Sequence, residues 1–217
     1  MDLYYYPLSR YSQKVLIALF EKQVAFNANF TDLRDPQIRQ DFYRHYPYCK
    51  LPLLITPEGR ALPESSIIIE YLDNRCVSAN PLIPLHHQQE LQVRLFDRMI
   101  DTDLNDRLFA LDKQTELPGG GDQLQQRRLE NQLQQFLFLL EQQLMPEQEW
   151  LCGGHLTLAD CALLPCLRHP WLASQLSQLP RLDSYCHRAA MRASWMLVQD
   201  EIAQAEGNDF AGLNQIP

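Results

Sequence analysis

The residues best suited to chemistry stand at the start of an apolar helical segment, where an acidic residue precedes two hydroxyls in Glu64-Ser65-Ser66. Either serine can cap this helix by accepting a backbone hydrogen bond. A helix start also attracts anions, because its first N–H groups are unpaired and its dipole is positive there. The carboxylate of Glu64 is in turn suited to an ammonium group. These residues therefore predict a site for a ligand that carries an ammonium and a carboxylate close together.

The segment before this helix predicts a β-hairpin. Residues 50–55 begin with Lys50 and are otherwise apolar, which indicates a strand over residues 51–55. The strand is entered through Pro52, which is tolerated because no ladder N–H is needed at a strand start. Residues 57–59 predict a turn and residues 60–62 a second strand. The helix that follows is expected from about residue 65 to residue 76.

The first 77 residues predict an α/β domain. Apolar and aromatic patterns indicate strands at residues 3–6, 24–30, 51–55 and 60–62, with helices that begin near Ser12, Pro36 and Ser65. The order is βαβαββα. Its first half is a parallel βαβ unit and its second half a hairpin with a helix, which predicts a mixed four-stranded sheet.

Residues 78–85 carry two prolines and predict a linker, and residues 86–217 predict an all-helical domain. Thr157 and Asp160 form a capping box, in which the threonine caps a helix and the acid returns a hydrogen bond. The helical segments expected in this domain are residues 89–116, a leucine stripe over 124–144, an apolar helix from Thr157 towards Arg168, and short helices near 180–191 and 194–205. The tail from Gly207 to Pro217 is expected to be loosely ordered or packed as a coil.

The two parts of the chain differ in net charge. The formal net charge is −8, and residues 1–77 contain 9 basic and 9 acidic residues, so the whole imbalance lies in the remainder. An acidic chain is unsuited to nonspecific contact with a phosphate backbone, so we expect no direct nucleic-acid partner. The sequence has no apolar run of about 18 residues, so we expect no membrane span.

Cysteine usage predicts thiols rather than disulfides or metal ligands. The six cysteines are Cys49, Cys76, Cys152, Cys161, Cys166 and Cys186. No CxxC pair occurs and no Cys/His cluster has zinc spacing, so no metal is expected. The start of the chain lacks the basic and apolar segments of a signal peptide. A reducing cytoplasm is the expected location.

Three segments resemble the cytosolic glutathione transferase family. Residues 3–15 are similar to the first strand, catalytic loop and first helix of serine-type bacterial members. Residues 49–54 resemble the lysine–apolar–cis-proline segment, and residues 64–72 the glutamate–serine motif, which is the most specific of the three. The Thr157–Asp160 box matches the family's helical domain. The resemblance implies a thioredoxin-like N-terminal domain, an all-α C-terminal domain and a homodimer.

The resemblance also implies a glutathione site, with glutathione as co-substrate. The implied ligand-binding residues are Ser9, Gln37, Lys50, Leu51, Pro52, Glu64 and Ser65. The backbone of Leu51 would pair with the cysteinyl backbone of glutathione as an added strand. Glu64 and Ser65 would take the γ-glutamyl ammonium and carboxylate. Lys50 and Gln37 would approach the glycyl carboxylate.

Two residues compete for activation of the glutathione thiol. Ser9 lies where serine-type members place the hydroxyl that donates to the sulfur, just before a predicted helix. Tyr5 lies two residues before Pro7, where other classes place a catalytic tyrosine. A donor to sulfur favours the thiolate, which is the nucleophilic form. We expect Ser9 to be catalytic, with Tyr5 as runner-up and Ser12 as a helix cap or a second donor.

The second substrate is expected in a cleft between the domains, lined by Leu8, Arg10, Tyr11, Arg107 and Leu111. The chain departs from the family pattern twice. Arg10 and Tyr11 are larger than the usual residues of the catalytic loop. Cys49 stands where the family has a glycine before the lysine, which affects the shape of that loop.

Three functions fit these features. The first is a glutathione transferase that adds the thiolate to small apolar electrophiles. The second is a non-catalytic adaptor similar to the bacterial stringent starvation protein, which associates with RNA polymerase. The third is a glutathione-dependent isomerase or thiol reductase, although a reductase would be expected to carry cysteine near position 9. The nearly complete glutathione site favours the transferase.

Overall fold

A computed structural model describes residues 1–76, 81–145 and 147–213. The chain divides into two compact units. The first comprises Met1–Leu82 together with Met191–Pro217, and the second comprises Ile83–Ala190. The sequence placed the last helix in the helical domain, whereas here it belongs with the first unit. Residues 78–80 of the predicted linker lie outside the described residues.

The first unit contains the predicted βαβαββα order. Its elements are β1 (Asp2–Tyr5), α1 (Arg10–Glu21), β2 (Asn27–Phe30), α2 (Pro36–Tyr43), β3 (Leu53–Ile55), β4 (Ala61–Pro63) and α3 (Ser65–Arg75). The sheet order is β2-β1-β3-β4. β1 runs parallel to β2 and antiparallel to β3, and β3 runs antiparallel to β4. The predicted mixed four-stranded, thioredoxin-like sheet is confirmed.

Helix boundaries in this unit follow from their caps. Ser9 caps α1 through a hydrogen bond from the Ser12 backbone N–H, so the prediction that Ser12 is the cap is wrong. The Ser12 hydroxyl instead accepts from the Tyr6 backbone N–H at 3.2 Å. Asp35 caps α2, and proline occupies its first position as expected. Strand β2 begins at Asn27 rather than at residue 24.

The core of the first unit lies on both faces of the sheet. Leu3 and Tyr5 are buried on one face of β1, while Tyr4 on the other face contacts Phe42 of α2, with ring centroids 5.7 Å apart. α1 is buried over eight consecutive residues, from Ser12 to Leu19. Such a helix is enclosed all round instead of having one exposed face.

The second unit is helical in the described residues, apart from an isolated bridge between Trp150 and Gly153. Its helices are α4 (His87–Met99), a π-helical segment (Ile100–Asn105), α5 (Asp106–Glu116), a 3₁₀ turn (Pro118–Gly120), α6 (Gln123–Gln143), α7 (Leu158–Leu167), α8 (Pro170–Gln175), a 3₁₀ turn (Leu176–Gln178) and α9 (Pro180–Ala190). The short helix α8 was not predicted. None of the described helices is both long and apolar enough to cross a membrane.

The capping box organises this unit as predicted. Asp160 is fully buried and accepts from the backbone N–H groups of Leu151 and Thr157, at 2.9 and 2.8 Å. It also accepts from the hydroxyls of Thr157 and Tyr185, at 2.8 and 2.7 Å. Burial raises the pKa of Asp160, and the four donors act in the opposite direction. One carboxylate thus joins the loop before α7, α7 itself and α9.

The last helix, α10 (Ala193–Leu213), packs against α1 within the first unit. It extends past Gly207 to Leu213, so the prediction of a coil is wrong over these residues, and residues 214–217 lie outside the described residues. Arg192 donates to both carboxylate oxygens of Glu21 at 2.7 and 2.6 Å, and the Ser194 hydroxyl donates to the same carboxylate. These bonds hold the start of α10 against the end of α1.

The Glu21 contact makes the stability of the first unit dependent on pH. Burial acts to raise the pKa of Glu21, but hydrogen bonds from Arg192 and Ser194 outweigh it and hold the pKa below its ordinary value of 4.5. A carboxyl with a lowered folded-state pKa stabilises the fold above its unfolded pKa, and this contribution is lost as pH falls through the folded pKa. Glu21→Gln is expected to lower the free energy of unfolding by about 1–2 kcal/mol at pH 7.

Urea unfolding of wild type and Glu21→Gln from pH 7 to pH 3 measures this effect. The difference is expected to stay constant down to about pH 5 and to shrink below the ordinary carboxyl pKa. Asp200→Asn, an exposed substitution on α10, serves as the control. A difference between wild type and Glu21→Gln that persists unchanged at pH 3 would contradict the assignment.

Candidate functional site

Strand register brings the three predicted glutathione-binding segments to one edge of the sheet. Tyr4 pairs with Leu53, and Leu53 pairs with Pro63. Since β3 runs opposite to its neighbours, the residues that follow β1, precede β3 and follow β4 all lie at this edge. They are the loop to Ser9, the Lys50–Pro52 segment and the Glu64–Ser65 helix start. β1 and β4 are two strand spacings apart in the sheet, a distance of about 10 Å.

Ser9 combines two roles at this edge. Its hydroxyl oxygen accepts from the Ser12 N–H at 3.4 Å, and its backbone carbonyl accepts from the Gln13 N–H at 2.9 Å. The cap uses the oxygen as an acceptor and leaves the hydroxyl proton to be donated. Ser9 is partly exposed and stands at the positive end of the α1 dipole. It can therefore donate to a ligand sulfur without giving up the cap.

Tyr5, the runner-up, has a different environment. Its side chain is 5% exposed, and its hydroxyl donates to the Glu201 carboxylate of α10 at 2.9 Å. Burial and the neighbouring Glu201 raise the pKa of Tyr5 well above its ordinary value. The phenol is therefore protonated and its proton is directed to α10.

The helix start at Glu64 has an unusual backbone conformation. Glu64 is exposed and adopts a φ of 71°, an unusual value for a residue other than glycine. It occupies the N-cap position of α3 but makes no side-chain cap hydrogen bond, so neither Ser65 nor Ser66 is the cap. Ser65 is 5% exposed and is the first residue of α3. The first N–H groups of α3 and the Ser65 hydroxyl thus lie beside a carboxylate that makes no cap hydrogen bond.

The loop before β3 carries the other predicted contacts. The Leu51–Pro52 peptide bond is cis, as the sequence resemblance implied, and Pro52 is buried. Strand pairing of β3 begins at Leu53, so Leu51 lies outside the sheet ladder. Lys50 is exposed at the same edge.

Gln37 follows the neighbouring strand, β2, in the chain. β2 runs parallel to β1, with Phe30 beside Tyr5, so the chain leaves both strands on the same side. Gln37 lies in the first turn of α2, is exposed, and donates from its side chain to the Asp41 carboxylate at 3.2 Å. A glycyl carboxylate would have to compete with this intrahelical bond.

The residues predicted to line a second-substrate pocket fall on separate elements. Leu8, Arg10 and Tyr11 are half-buried around the start of α1 in the first unit. Arg107 and Leu111 are on α5 in the second unit. Arg107 forms an ion pair with Asp103 at 2.6 Å, and Leu111 is only 4% exposed. Leu111 therefore belongs to the core of its unit.

Sequence reasoning overlooked Lys14. This lysine is 1% exposed in the middle of α1, and its ammonium donates to the Ser66 hydroxyl at 2.9 Å. A signal was present in the sequence, because Lys14 directly precedes the apolar run Val15–Leu19. Among the described residues no group of three or more His, Cys, Asp or Glu side chains is arranged to hold a metal ion.

Two parts of the chain match models of a known protein family. Residues 8–75 match the model of the glutathione S-transferase N-terminal domain, and residues 103–194 match that of the glutathione S-transferase C-terminal domain. The chain belongs to the glutathione transferase family. The family predicted from the three sequence segments is therefore confirmed, together with its two-part fold.

The proteins similar to this chain include glutathione S-transferases and a stringent starvation protein homolog. A glutathione S-transferase from Methylobacillus flagellatus KT, solved with glutathione bound, is 28% identical, with a TM-score of 0.81 over 91% of this chain and 98% of that one. Glutathione S-transferase 1-6 from Anopheles dirus species B shares the fold, with a TM-score of 0.84 at 23% identity over 98% and 100% of the chains. The stringent starvation protein A homolog of Coxiella burnetii is 26% identical over 95% of this chain and 97% of that protein.

In the loop before Lys50, Cys49 has a backbone conformation that glycine usually adopts. Cys49 adopts a φ of 47°, in the left-handed region that costs a residue with a Cβ about 1–2 kcal/mol. Glycine would remove this cost but would gain more entropy on unfolding. Cys49→Gly is therefore expected to raise the free energy of unfolding by about 0.5–1 kcal/mol, whereas Cys49→Val should lower it by at least as much.

Chemical denaturation of the two variants checks the prediction. Cys49→Ala is the matched control, because it removes the thiol and keeps the Cβ. The Cys49 thiol contacts the Arg39 carbonyl oxygen at 3.8 Å, so its loss alone should change little. If alanine stabilises the protein as much as glycine does, the backbone explanation is wrong.

Proposed function

We propose that this protein binds glutathione at the sheet edge and adds its thiolate to small, largely apolar electrophiles. The observation that carries the proposal is the β1–β3–β4 register, which gathers Ser9, the Lys50–Pro52 segment and Glu64–Ser65 on one edge. The spacing of about 10 Å across that edge suits an extended tripeptide. The glutathione-bound structure of the M. flagellatus relative supports the same ligand.

Each end of glutathione finds a partner of suitable chemistry. The γ-glutamyl ammonium is placed against the Glu64 carboxylate. Its α-carboxylate is placed against the Ser65 hydroxyl and the first N–H groups of α3. The cysteinyl backbone pairs with Leu51, which lies outside the sheet ladder and can accept an added strand. The glycyl carboxylate extends towards Lys50, with Gln37 as a further candidate.

The chemical step depends on the thiolate. A free thiol has a pKa of about 8.5, so it is mostly neutral at pH 7. Donation from the Ser9 hydroxyl and the positive end of α1 both favour the charged sulfur. A drop of two pKa units corresponds to roughly 2.7 kcal/mol. The thiol proton passes to solvent, and the sulfur then forms a bond to the electrophilic carbon as the leaving group departs or an adjacent double bond takes the electron pair.

The second substrate is assigned to the surroundings of the catalytic loop. Leu8 and Tyr11 provide apolar and aromatic surface beside Ser9, and Arg10 adds a cation. Arg107 and Leu111 belong to the second unit, and the burial of Leu111 places it in the core of that unit. The protein is further proposed to act in the cytoplasm, where its six free cysteines stay reduced, and to form a homodimer.

A second candidate function is that of a non-catalytic adaptor. It is favoured by the C. burnetii relative named a stringent starvation protein A homolog, which this chain matches over nearly its full length. An adaptor uses the surface of the same fold and has no need of a thiol site. The affinity for glutathione distinguishes the two candidate functions.

Calorimetric titration with glutathione tests the ligand. Wild type is expected to bind, and Glu64→Gln to bind about ten- to a hundredfold more weakly, because it loses a charge-assisted hydrogen bond. Glu58→Gln is the matched control, since it makes the same change in the hairpin turn at the opposite edge of the sheet. Absence of binding by wild type would reject the transferase and favour the adaptor.

Turnover of a chromogenic electrophile tests Ser9. Ser9→Ala removes both the hydroxyl and the cap, whereas Ser9→Gly removes the hydroxyl and retains most of the cap stability. Both variants are expected to lose about twenty-fivefold in kcat/KM at pH 7 if donation to sulfur lowers the thiol pKa by two units, because the thiolate fraction falls by that factor when the pKa returns to about 8.5. Tyr5→Phe should retain activity, because its hydroxyl is bonded to Glu201. Full activity in Ser9→Gly would assign thiol activation to another group.

A further inference from the structure

Helix α2 packs little of its surface into the first unit. Phe42 is the one residue of this helix that is buried. A surface helix usually presents an apolar stripe about 100° wide to the core. On its outward side α2 instead carries Tyr43, whose side chain is 57% exposed. The packing of the first unit gives no reason for an aromatic ring at this position.

The loop after α2 lies against the same helix and exposes a second tyrosine. The Cys49 thiol contacts the Arg39 carbonyl oxygen of α2 at 3.8 Å, and the Cys49 backbone N–H donates to the Tyr46 carbonyl oxygen at 3.0 Å. The ring centroids of Tyr46 and Tyr48 are 5.5 Å apart, and Tyr48 is 75% exposed. The turn therefore holds an exposed aromatic ring next to α2.

Two arginines accompany these rings. Arg39 is one helical turn before Tyr43, so the two lie on the same side of α2, and Arg44 directly follows the helix. Both arginines are exposed, and within the described part of the chain neither guanidinium makes a hydrogen bond or an ion pair. Asp41 lies on the opposite side of α2 from Arg39, because successive helical residues are turned by about 100°. Arg39, Tyr43, Arg44 and Tyr48 thus form a positively charged aromatic surface, which we call the α2 surface.

We propose that the α2 surface docks an acidic segment of a partner protein. Tyrosine and arginine are the residue types that contribute most at the centres of protein interfaces. Each guanidinium can bind a carboxylate through two parallel hydrogen bonds, and the tyrosine rings cover apolar side chains that stand between the acids. The inference goes beyond the proposed transferase, because it needs no thiol site. It supplies the protein-docking surface that the adaptor candidate requires.

The charge of the whole chain favours a short acidic segment over other anionic occupants. The formal net charge is −8, whereas residues 1–77 are neutral overall. A nucleic-acid strand or an anionic membrane extends its charge far beyond two arginines and is repelled by the acidic remainder. The charge of a short peptide segment ends where the segment ends. Such a segment can therefore occupy the α2 surface without that repulsion.

Fluorescence anisotropy with a labelled peptide of four Glu-Glu-Phe repeats tests the proposal. Wild type is expected to bind this peptide, and to bind the matched Gln-Gln-Phe peptide at least about tenfold more weakly. Arg39→Ala and Arg44→Ala are each expected to weaken binding of the acidic peptide about three- to tenfold, and Tyr43→Ala by a similar factor. Arg60→Ala, which removes an exposed cation from the β3–β4 hairpin, is the matched control and should bind as wild type does.

Each other outcome overturns the proposal. Wild type that binds neither peptide, or both equally, has no acidic-segment site, and full affinity in both arginine variants places the peptide elsewhere. Tighter binding of a twelve-nucleotide DNA strand or of phosphatidylglycerol vesicles, if lost in Arg39→Ala, assigns the surface to that occupant. Self-association that Tyr43→Ala abolishes, measured by analytical ultracentrifugation, assigns it to a second copy of the chain.

Glutathione affinity, measured by calorimetry on the same proteins, separates this inference from the proposed function. Arg44→Ala is expected to bind glutathione as wild type does while losing the acidic peptide. Wild type that binds the peptide without binding glutathione rejects the transferase alone. Wild type that binds glutathione without binding the peptide rejects the docking surface alone.

Discussion

The antiparallel pairing of β3 with both of its neighbours is the constraint on which the candidate site depends. Leu53 and Leu54 are fully buried, so this short strand is fixed from both faces of the sheet. A shift of one residue would exchange the faces of the two leucines and move Pro52 and Glu64 relative to the end of β1. The ligand-binding segments are far apart in the chain, and this register alone brings them to one edge. The proposed recognition of glutathione therefore depends on the packing of β3.

α1 connects this edge to the rest of the first unit. Its first turn is capped by Ser9, its middle carries Lys14, and its last turn carries Glu21. The three side chains face the proposed sulfur, the start of α3 and the start of α10, respectively. A helix that is buried almost all round cannot shift without disturbing all three neighbours. Ser9, which is proposed to act on the ligand, is therefore held by the same packing that stabilises the fold.

Much of this arrangement could be predicted from the sequence. Alternation and helical periodicity gave the element order, and the glutamate–serine and lysine–proline segments led to the family. The sequence predicts Ser12 as the cap of α1 because serine suits that position in any context, and only the loop geometry distinguishes it from Ser9. The glycine-like backbone at Cys49 and the bond from Tyr5 to Glu201 depend on tertiary contacts, and the latter joins residues 196 positions apart. Periodicity gives no information on such pairs.

The proposed second role of Ser9, beside its observed cap of α1, limits how far sequence motifs can report activity. A serine at the start of α1 contributes to folding as a cap whether or not a thiol is ever bound beside it. Selection for stability alone would retain it in a lineage that had abandoned catalysis and served as an adaptor. Transferases and adaptors can therefore diverge in function while the motif at this position stays the same. Under the proposed function, loss of enzymatic activity would first appear as substitution of Glu64, whose exposed side chain makes no cap hydrogen bond.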